Sequence, residues 1–469
     1  MKATRPTPVT QTRAAHLDEL PALDRRAFLK SSLALAGGCA VGLRAARAAG
    51  APEPPERLKP IGQARGLHPG RVVWVHDSEV LDWTGPEAGH WWEGDHVKQA
   101  RVDAMMARAV CELTGAANVQ EAWSSLFRHL NRARGRGDVG YRAGEKVVIK
   151  PNWVGMIYRE GNVNLETCSF VRRHDYMNTA PQMILALLQQ LTAVGVRPAD
   201  ITVCDTLACL VNDYLTLFQS AFPEVRFEDC AGKSGRFKAQ PSTTPIYWSS
   251  RPEGKTPDTL PTCFAEAAYL VNFANLKAHQ GSGVTLCAKN HLGSLIRWPV
   301  QPGYFDLHPG CFSKDTRIYR PLVDLMGHGH LGGKTVLYLV DGLFAGVHPR
   351  DALPQRLKMP PFNDAWPCSL FASQDPVGVD SVALDFLQAE WTDYPRQNGV
   401  DDYLHEAALA NDPPSGTLYD PDHPTPTKRL ASLGVHEHWN NPQDKKYSRN
   451  LGTGPGIELV AVTLGKRRA

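Results

Sequence analysis

The stretch Asn275-Leu276-Lys277-Ala278-His279-Gln280-Gly281-Ser282-Gly283-Val284-Thr285 follows an apolar run and gathers several side chains able to do chemistry. Strand alternation throws Asn275, Lys277 and His279 onto one face, so an amide, an amine and an imidazole converge beyond the strand's end. Gly281-Ser282-Gly283 permits a tight turn into a helix whose free amides attract an anion, with Thr285 and Lys289, four apart, on one helix face. A phosphate or carboxylate suits such a place. A glycine turn with solvated lysines and a helix cap accounts for the same residues without any ligand, and both readings stay open at this level.

Carboxylates supply the second set. Asp341 ends the apolar run 335–340, as Asp205 ends 201–204 and as Lys150 with Asn152 ends 146–149. Ligands of open α/β sheets collect outside strand carboxyl ends, so this shared placement points to one site. Asp375 before Pro376 reads as an N-cap followed by proline in the first helical position. Asp380 stands in an otherwise apolar helix, where a buried carboxylate is costly unless paired, and Lys277 or Lys289 is the expected partner. In the functional reading, Lys150, Lys277 and Lys289 hold an anionic group and His279 acts as acid or base. Asp341 or Asp380 then orients it or binds a cation.

Seventeen histidines include His328-Gly329-His330 and His436-Glu437-His438, each able to put two imidazoles on one side of an extended segment. Neither has the helical His-Glu-x-x-His spacing, so core or solvated histidines compete with a metal ion, whose identity the spacing does not give. The ten cysteines match no zinc or iron-sulfur signature, and Cys204 and Cys209 lack the Cys-x-x-Cys spacing of a redox pair. Trp83, Trp91, Trp92, Trp298 and Trp439 lie in loop-like stretches, as cleft floors or as ordinary packing.

The elements that must position these residues alternate. Strands are expected at 71–77, 146–151, 201–205, 269–273, 335–340, 369–372 and 457–462. Helices are expected from residue 95 or 96 through 110, over 119–132, after a Thr179/Gln182 capping box, and over 376–389. Strand, helix, strand implies a parallel pair with a crossover, so the fold class is α/β. It should form a mostly parallel sheet or sheets with flanking helices, in one large or two closely packed lobes. The organisation reads as 1–48 signal peptide, 49–70 Pro-rich leader, 71–145 N-terminal α/β segment, 146–392 core, and 393–469 irregular with a final strand.

At this point the sequence resembles the domain-of-unknown-function family numbered 362. The resemblance rests on Lys277 with His279, on Lys289 and Asn290 with Gly293, on Lys150-Pro151-Asn152, on Val340-Asp341-Gly342, and on Ser373 to Asp380, similar to a Ser-x-Asp-Pro-x-x-x-Asp segment. It implies that His308 is the family's downstream histidine, and it covers most of 146–390. Members with ferredoxin-like cysteine clusters imply redox work, a pattern this chain lacks.

Arg25-Arg26-Ala27-Phe28-Leu29-Lys30 before the apolar run 31–43, then Ala46-Arg47-Ala48, read as a twin-arginine signal cleaved after Ala48. An ordinary secretory signal and lipidation of Cys39 compete with it. The expected partner is the twin-arginine translocase and the expected place the periplasm, with no stable membrane span in the mature form. Residues 1–48 carry eight of the 51 Lys/Arg and three of the 48 Asp/Glu, leaving 43 against 45, so no basic stripe invites nucleic acid. Folded export favours an enzyme that acquires a metal or cofactor before transport and acts on a small anionic substrate, with redox chemistry among its options. A periplasmic binding or maturation protein, with the same Lys/Asn/His cleft and no turnover, is the alternative.

Overall fold

The computed structural model describes residues 59–157, 161–171, 177–279, 282–297, 303–347, 353–391 and 399–465. The signal-peptide reading, Gln280, Gly281 and Trp298 lie outside them. Apolar, β-branched runs such as Val72-Val73-Trp74-Val75 and Val147-Val148-Ile149 have no polar face, which suits strands covered on both sides.

Ten strands form the central sheet: β1 Arg71–Asp77, β2 Val147–Pro151, β3 Ile201–Cys204, β4 Arg226–Asp229, β5 Phe237–Lys238, β6 Tyr269–His279, β7 Gly283–Thr285, β8 Thr335–Gly346, β9 Ser369–Ser373 and β10 Glu458–Leu464. Their order is β10-β1-β9-β8-β6-β2-β3-β4-β5, with β7 folded back on β6. Only β9 and β7 run against the rest. The fold is therefore α/β, with a mixed, mostly parallel sheet and flanking helices.

The helices include α1 Gln99–Thr114, α2 Val119–Ala133, α3 Pro181–Ala193, α4 Asn212–Ala221, α5 Pro376–Glu390 and α6 Asp402–Ala408, with a single turn at Cys287–Asn290. Val73, Ile149, Val271 and Leu339 look to one face and pack with α1, α2 and α3. Val72, Val148, Leu270, Ala274 and Val340 look to the other and pack with α5. The helices expected over 119–132 and 376–389 appear as α2 and α5 within one residue at each end, and the one expected from residue 95 or 96 begins at Gln99.

Three expectations are corrected. β6 does not stop at Phe273 but runs to His279, because the buried polar side chains of Asn272, Asn275 and Lys277 all find partners. The chain after Gly283 is not a helix: Lys277 pairs with Thr285 and His279 with Gly283 in a hairpin, so Thr285 and Lys289 share no helix face. At α3 the cap residue is Ala180, with no capping box. Thr179 instead donates to the Phe273 carbonyl (3.1 Å) and Gln182 to the Trp92 carbonyl (3.2 Å). The stretch 393–469 is largely irregular where described, yet it contains α6 and ends in β10, which pairs in parallel with β1. No helix among the described residues is long and apolar enough to cross a membrane.

Candidate functional site

Parallel strands bring their carboxyl ends to one edge of the sheet, and there the polar residues gather in two groups. The first surrounds Lys150, which is fully buried at the end of β2. Its ammonium donates to Asp205 Oδ2 (2.9 Å), to Asn290 Oδ1 (3.1 Å) and to the Pro151 carbonyl. Asn152 Nδ2 also donates to Asn290 Oδ1 (3.0 Å), while Asn290 Nδ2 donates to the Lys150 carbonyl (3.0 Å) and to Asn272 Oδ1 (2.8 Å). Asn272 Nδ2 donates in turn to the Cys287 carbonyl (2.9 Å) and lies 3.0 Å from His291 Nε2. Burial, with Lys150 nearby, lowers the His291 pKa to about 3, so the ring is neutral. Gly293 passes so close that a Cβ there would stand 2.6 Å from Lys150 Nζ and 2.8 Å from Asp205 Oδ1. A buried ion pair with its remaining protons satisfied meets the condition under which attraction offsets desolvation.

The acidic residues hold backbone. Asp375 caps α5 by accepting from the Gly378 amide (2.8 Å), and it also takes the amides of Arg65 and Val435. Asp380 pairs with neither Lys277 nor Lys289. It accepts from the amides of Cys287 (2.8 Å) and Ala288 (3.0 Å) and from the Tyr403 hydroxyl (3.2 Å), because the start of the Cys287–Asn290 turn packs against α5. Asp341 accepts from the Ala180 amide (2.7 Å) at the start of α3 and from the Leu343 amide (2.9 Å). Burial pushes Asp341, Asp375 and Asp380 each up to about 6.

The second group surrounds Lys277 on the opposite face of β6. Lys277 is fully buried, and its amine donates to the Met177 carbonyl. Burial holds its pKa well below the ordinary lysine value, opposed by the charges of Asp341 and Asp205. Asn275 Nδ2 donates to the Asn178 carbonyl (3.3 Å), and Asn178 Oδ1 accepts from the Gly155 amide (2.8 Å). Three buried polar atoms on residues beside Lys277 in the sheet or the contacting chain, Asn275 Oδ1, Asn178 Nδ2 and Thr285 Oγ1, have no hydrogen-bond partner among the described residues, and neither has Asn152 Oδ1 of the first group. Buried polar atoms are rarely left so, and a cluster of them marks a place for a polar guest.

Of the remaining predicted residues, His279 is half-buried and its Nδ1 accepts from the Ser282 amide (3.1 Å), which puts the proton of the neutral ring on Nε2. Lys289 is half-buried, and burial lowers its pKa despite the nearby Cys311. His308 is exposed at the surface and engages Asp306 (2.7 Å). Asn178, Asn272 and His291 belong to none of the sequence motifs; a lone asparagine inside the apolar run 269–274 is the signal that the sequence offers. Trp83, Trp91, Trp92 and Trp439 are buried in the cores.

Among the described residues two groups place three ligand atoms together: Cys204, Glu228 and Cys263, and Asp401, His436 and His438. His328 offers no free nitrogen, since Nε2 donates to the Pro245 carbonyl (3.1 Å) and Nδ1 accepts from the His330 amide (3.1 Å).

Fold and site together define an open α/β protein whose buried polar groups sit beyond the carboxyl ends of a mostly parallel sheet. Residues 147–385, half of the chain, match the model of the family described as Domain of unknown function (DUF362), and the chain belongs to that family. No curated protein matches the chain. The family motifs acquire a physical meaning here. Lys150, Asn290 and Gly293 make the ion-pair network, and Ser373, Asp375 and Asp380 tie α5 to the chain around it.

Proposed function

We propose that this protein binds a small anionic ligand beside Lys277 and acts on it through that amine, after export in folded form by the twin-arginine route. The observation that carries the ligand reading is the set of unpartnered buried atoms on Asn275, Thr285 and Asn178, residues that neighbour Lys277 in the sheet or in the chain that contacts it. Amide and amine donors from Asn178 and Lys277 suit an oxyanion or carbonyl, and the acceptors Asn152 Oδ1 and Asn275 Oδ1 suit a hydroxyl or amine on the same molecule. Lowering the pKa of a buried lysine raises the share of its proton-free amine, the form that acts as a base or nucleophile. Asp341, neutral below about pH 6, is the nearest acid in charge terms.

A second reading, binding without turnover, is favoured by one observation. His279, Asp341 and Asp380, the residues expected to do acid–base work, are each engaged with backbone amides. Thermal-shift titrations with inorganic phosphate and a panel of 2-hydroxy and 2-oxo carboxylates test the ligand reading on the wild type and on Lys277→Met, which keeps an unbranched stem and removes the amine. At least one anion should raise the wild-type midpoint and leave the variant unmoved. A folded variant that responds as the wild type does to every anion would sink the site. The export reading rests on Arg25 and Arg26 ahead of the apolar run; replacing both with lysine should retain the precursor in the cytoplasm.

A further inference from the structure

A separate cluster forms where α5, α6 and the segment around Val435–His436 meet. Asp401, His436 and His438 each place one ligand atom within 4.8 Å of the other two. Asp401 Oδ2 lies 3.5 Å from His438 Nε2 and 3.9 Å from His405 Nε2, and the His405 and His436 rings have centroids 4.8 Å apart. Three imidazoles and one carboxylate thus share a single spot.

What makes this more than a histidine-rich surface is the support behind the rings. Ser381 and Asp385, four apart on α5, present one face to them. The single hydroxyl proton of Ser381 goes to the Val377 carbonyl (2.7 Å), so its oxygen accepts from His436 Nδ1–H (2.8 Å). Asp385 Oδ1 accepts from His438 Nδ1–H (2.6 Å), and Asp385 Oδ2 is fixed by the Trp439 amide (2.9 Å) and the Tyr447 hydroxyl (2.8 Å). Both rings therefore have Nδ1 engaged from behind and Nε2 left for the cluster. Outer carboxylate and hydroxyl partners on the far ring nitrogen are the arrangement that orients metal-binding histidines.

Exposure completes the case. The side chain of His436 is almost fully buried, at 2% exposed, whereas those of His438, Asp401 and His405 are 20%, 26% and 39% exposed, so the spot opens to solvent on one side. We infer that His436, His438 and Asp401 hold a divalent transition ion of the zinc or iron(II) class, with His405 at the rim as a fourth donor. Imidazole and carboxylate donors select such ions. Bonds of about 2.0–2.1 Å in a tetrahedral site bring ligand atoms to about 3.3 Å from one another, so the side chains close by roughly 1 Å on binding. The site is independent of the ligand reading at Lys277.

The test uses the full chain freed of metal with a chelator, titrated with Zn2+ by calorimetry and with Co2+ by visible absorption. One equivalent should bind, and cobalt should show the intense bands of a low-coordinate site. Asp385→Asn, which loosens only the support of His438, should weaken zinc about 10- to 100-fold. Asp401→Asn, at the half-exposed rim and equal in shape, should abolish stoichiometric binding with the far- and near-ultraviolet circular dichroism unchanged. Wild-type protein that binds no zinc, or an Asp401→Asn protein that binds it as the wild type does, overturns the assignment. Loss of anion response in Lys277→Met with zinc binding intact, or the reverse, separates the two sites.

Discussion

Lys150 and Lys277 are both fully buried on neighbouring strands, and their neighbours make them chemically opposite. Among the described residues Lys150 has a carboxylate and two further oxygen acceptors, whereas Lys277 has one carbonyl. Removing one partner of a buried pair strands the other charge, so Lys150→Met should cost about 3–5 kcal/mol in chemical denaturation. Lys277→Met should do the reverse. The unfolded chain keeps the lysine proton up to about pH 10.5, and the folded chain gives it up sooner. Unfolding therefore takes up a proton in that window, and wild-type stability rises with pH through it. Each unit by which the folded pKa falls from the unfolded value toward 7 costs about 1.4 kcal/mol at pH 7, so the methionine variant should be the more stable at pH 7, with a lead that shrinks toward pH 10. A variant less stable than the wild type at both pH values would show that the amine is a structural donor.

At the scale of elements, the segment 287–293 is clamped from three sides: Asp380 takes its first amides, Asn272 takes the Cys287 carbonyl, and Gly293 lies against the Lys150–Asp205 pair. A methyl group at Gly293 would stand 2.6 Å from Lys150 Nζ, with no room to retreat, so Gly293→Ala should destabilise by about 1–3 kcal/mol as overpacking does. A denaturation midpoint equal to the wild type would mean that the segment can shift aside. This clamp also shows where the sequence was legible. The apolar strand runs and the α5 cap at Asp375 are local patterns, and they appear as expected. The length of β6 was hidden, because Asn272, Asn275 and Lys277 look like a strand's end until partners far along the chain bury them. Glycines at 281 and 283 look like a helix entry, while cross-strand pairing of Lys277 with Thr285 decides for a hairpin. His436 and His438 were visible as a pair, but Asp401 and His405 join them only through the packing of α6.

For the whole molecule, the C-terminal stretch binds the family core together instead of trailing from it. Val435 gives its amide to Asp375, Tyr403 gives its hydroxyl to Asp380, and Trp439 and Tyr447 close on Asp385, so three carboxylates of α5 depend on residues beyond 399. Glu437 accepts from Ser448 and from the Ile457 amide, which leads the chain into β10. β10 then covers the outer edge of β1 along its whole length, from Arg71 opposite Glu458 to Asp77 opposite Leu464. Without these residues, buried carboxylates lose their donors at a cost of about 1–3 kcal/mol each. A long, apolar strand edge also becomes free to pair with other chains. A chain ending at Glu390 keeps the whole of the matched family segment, yet it should show no cooperative unfolding transition and should aggregate. A chain lacking only 458–469 should fold with a lowered midpoint and self-associate. Cooperative unfolding of the Glu390 truncation at the full-length midpoint would mean that the core stands without its C-terminal wrap.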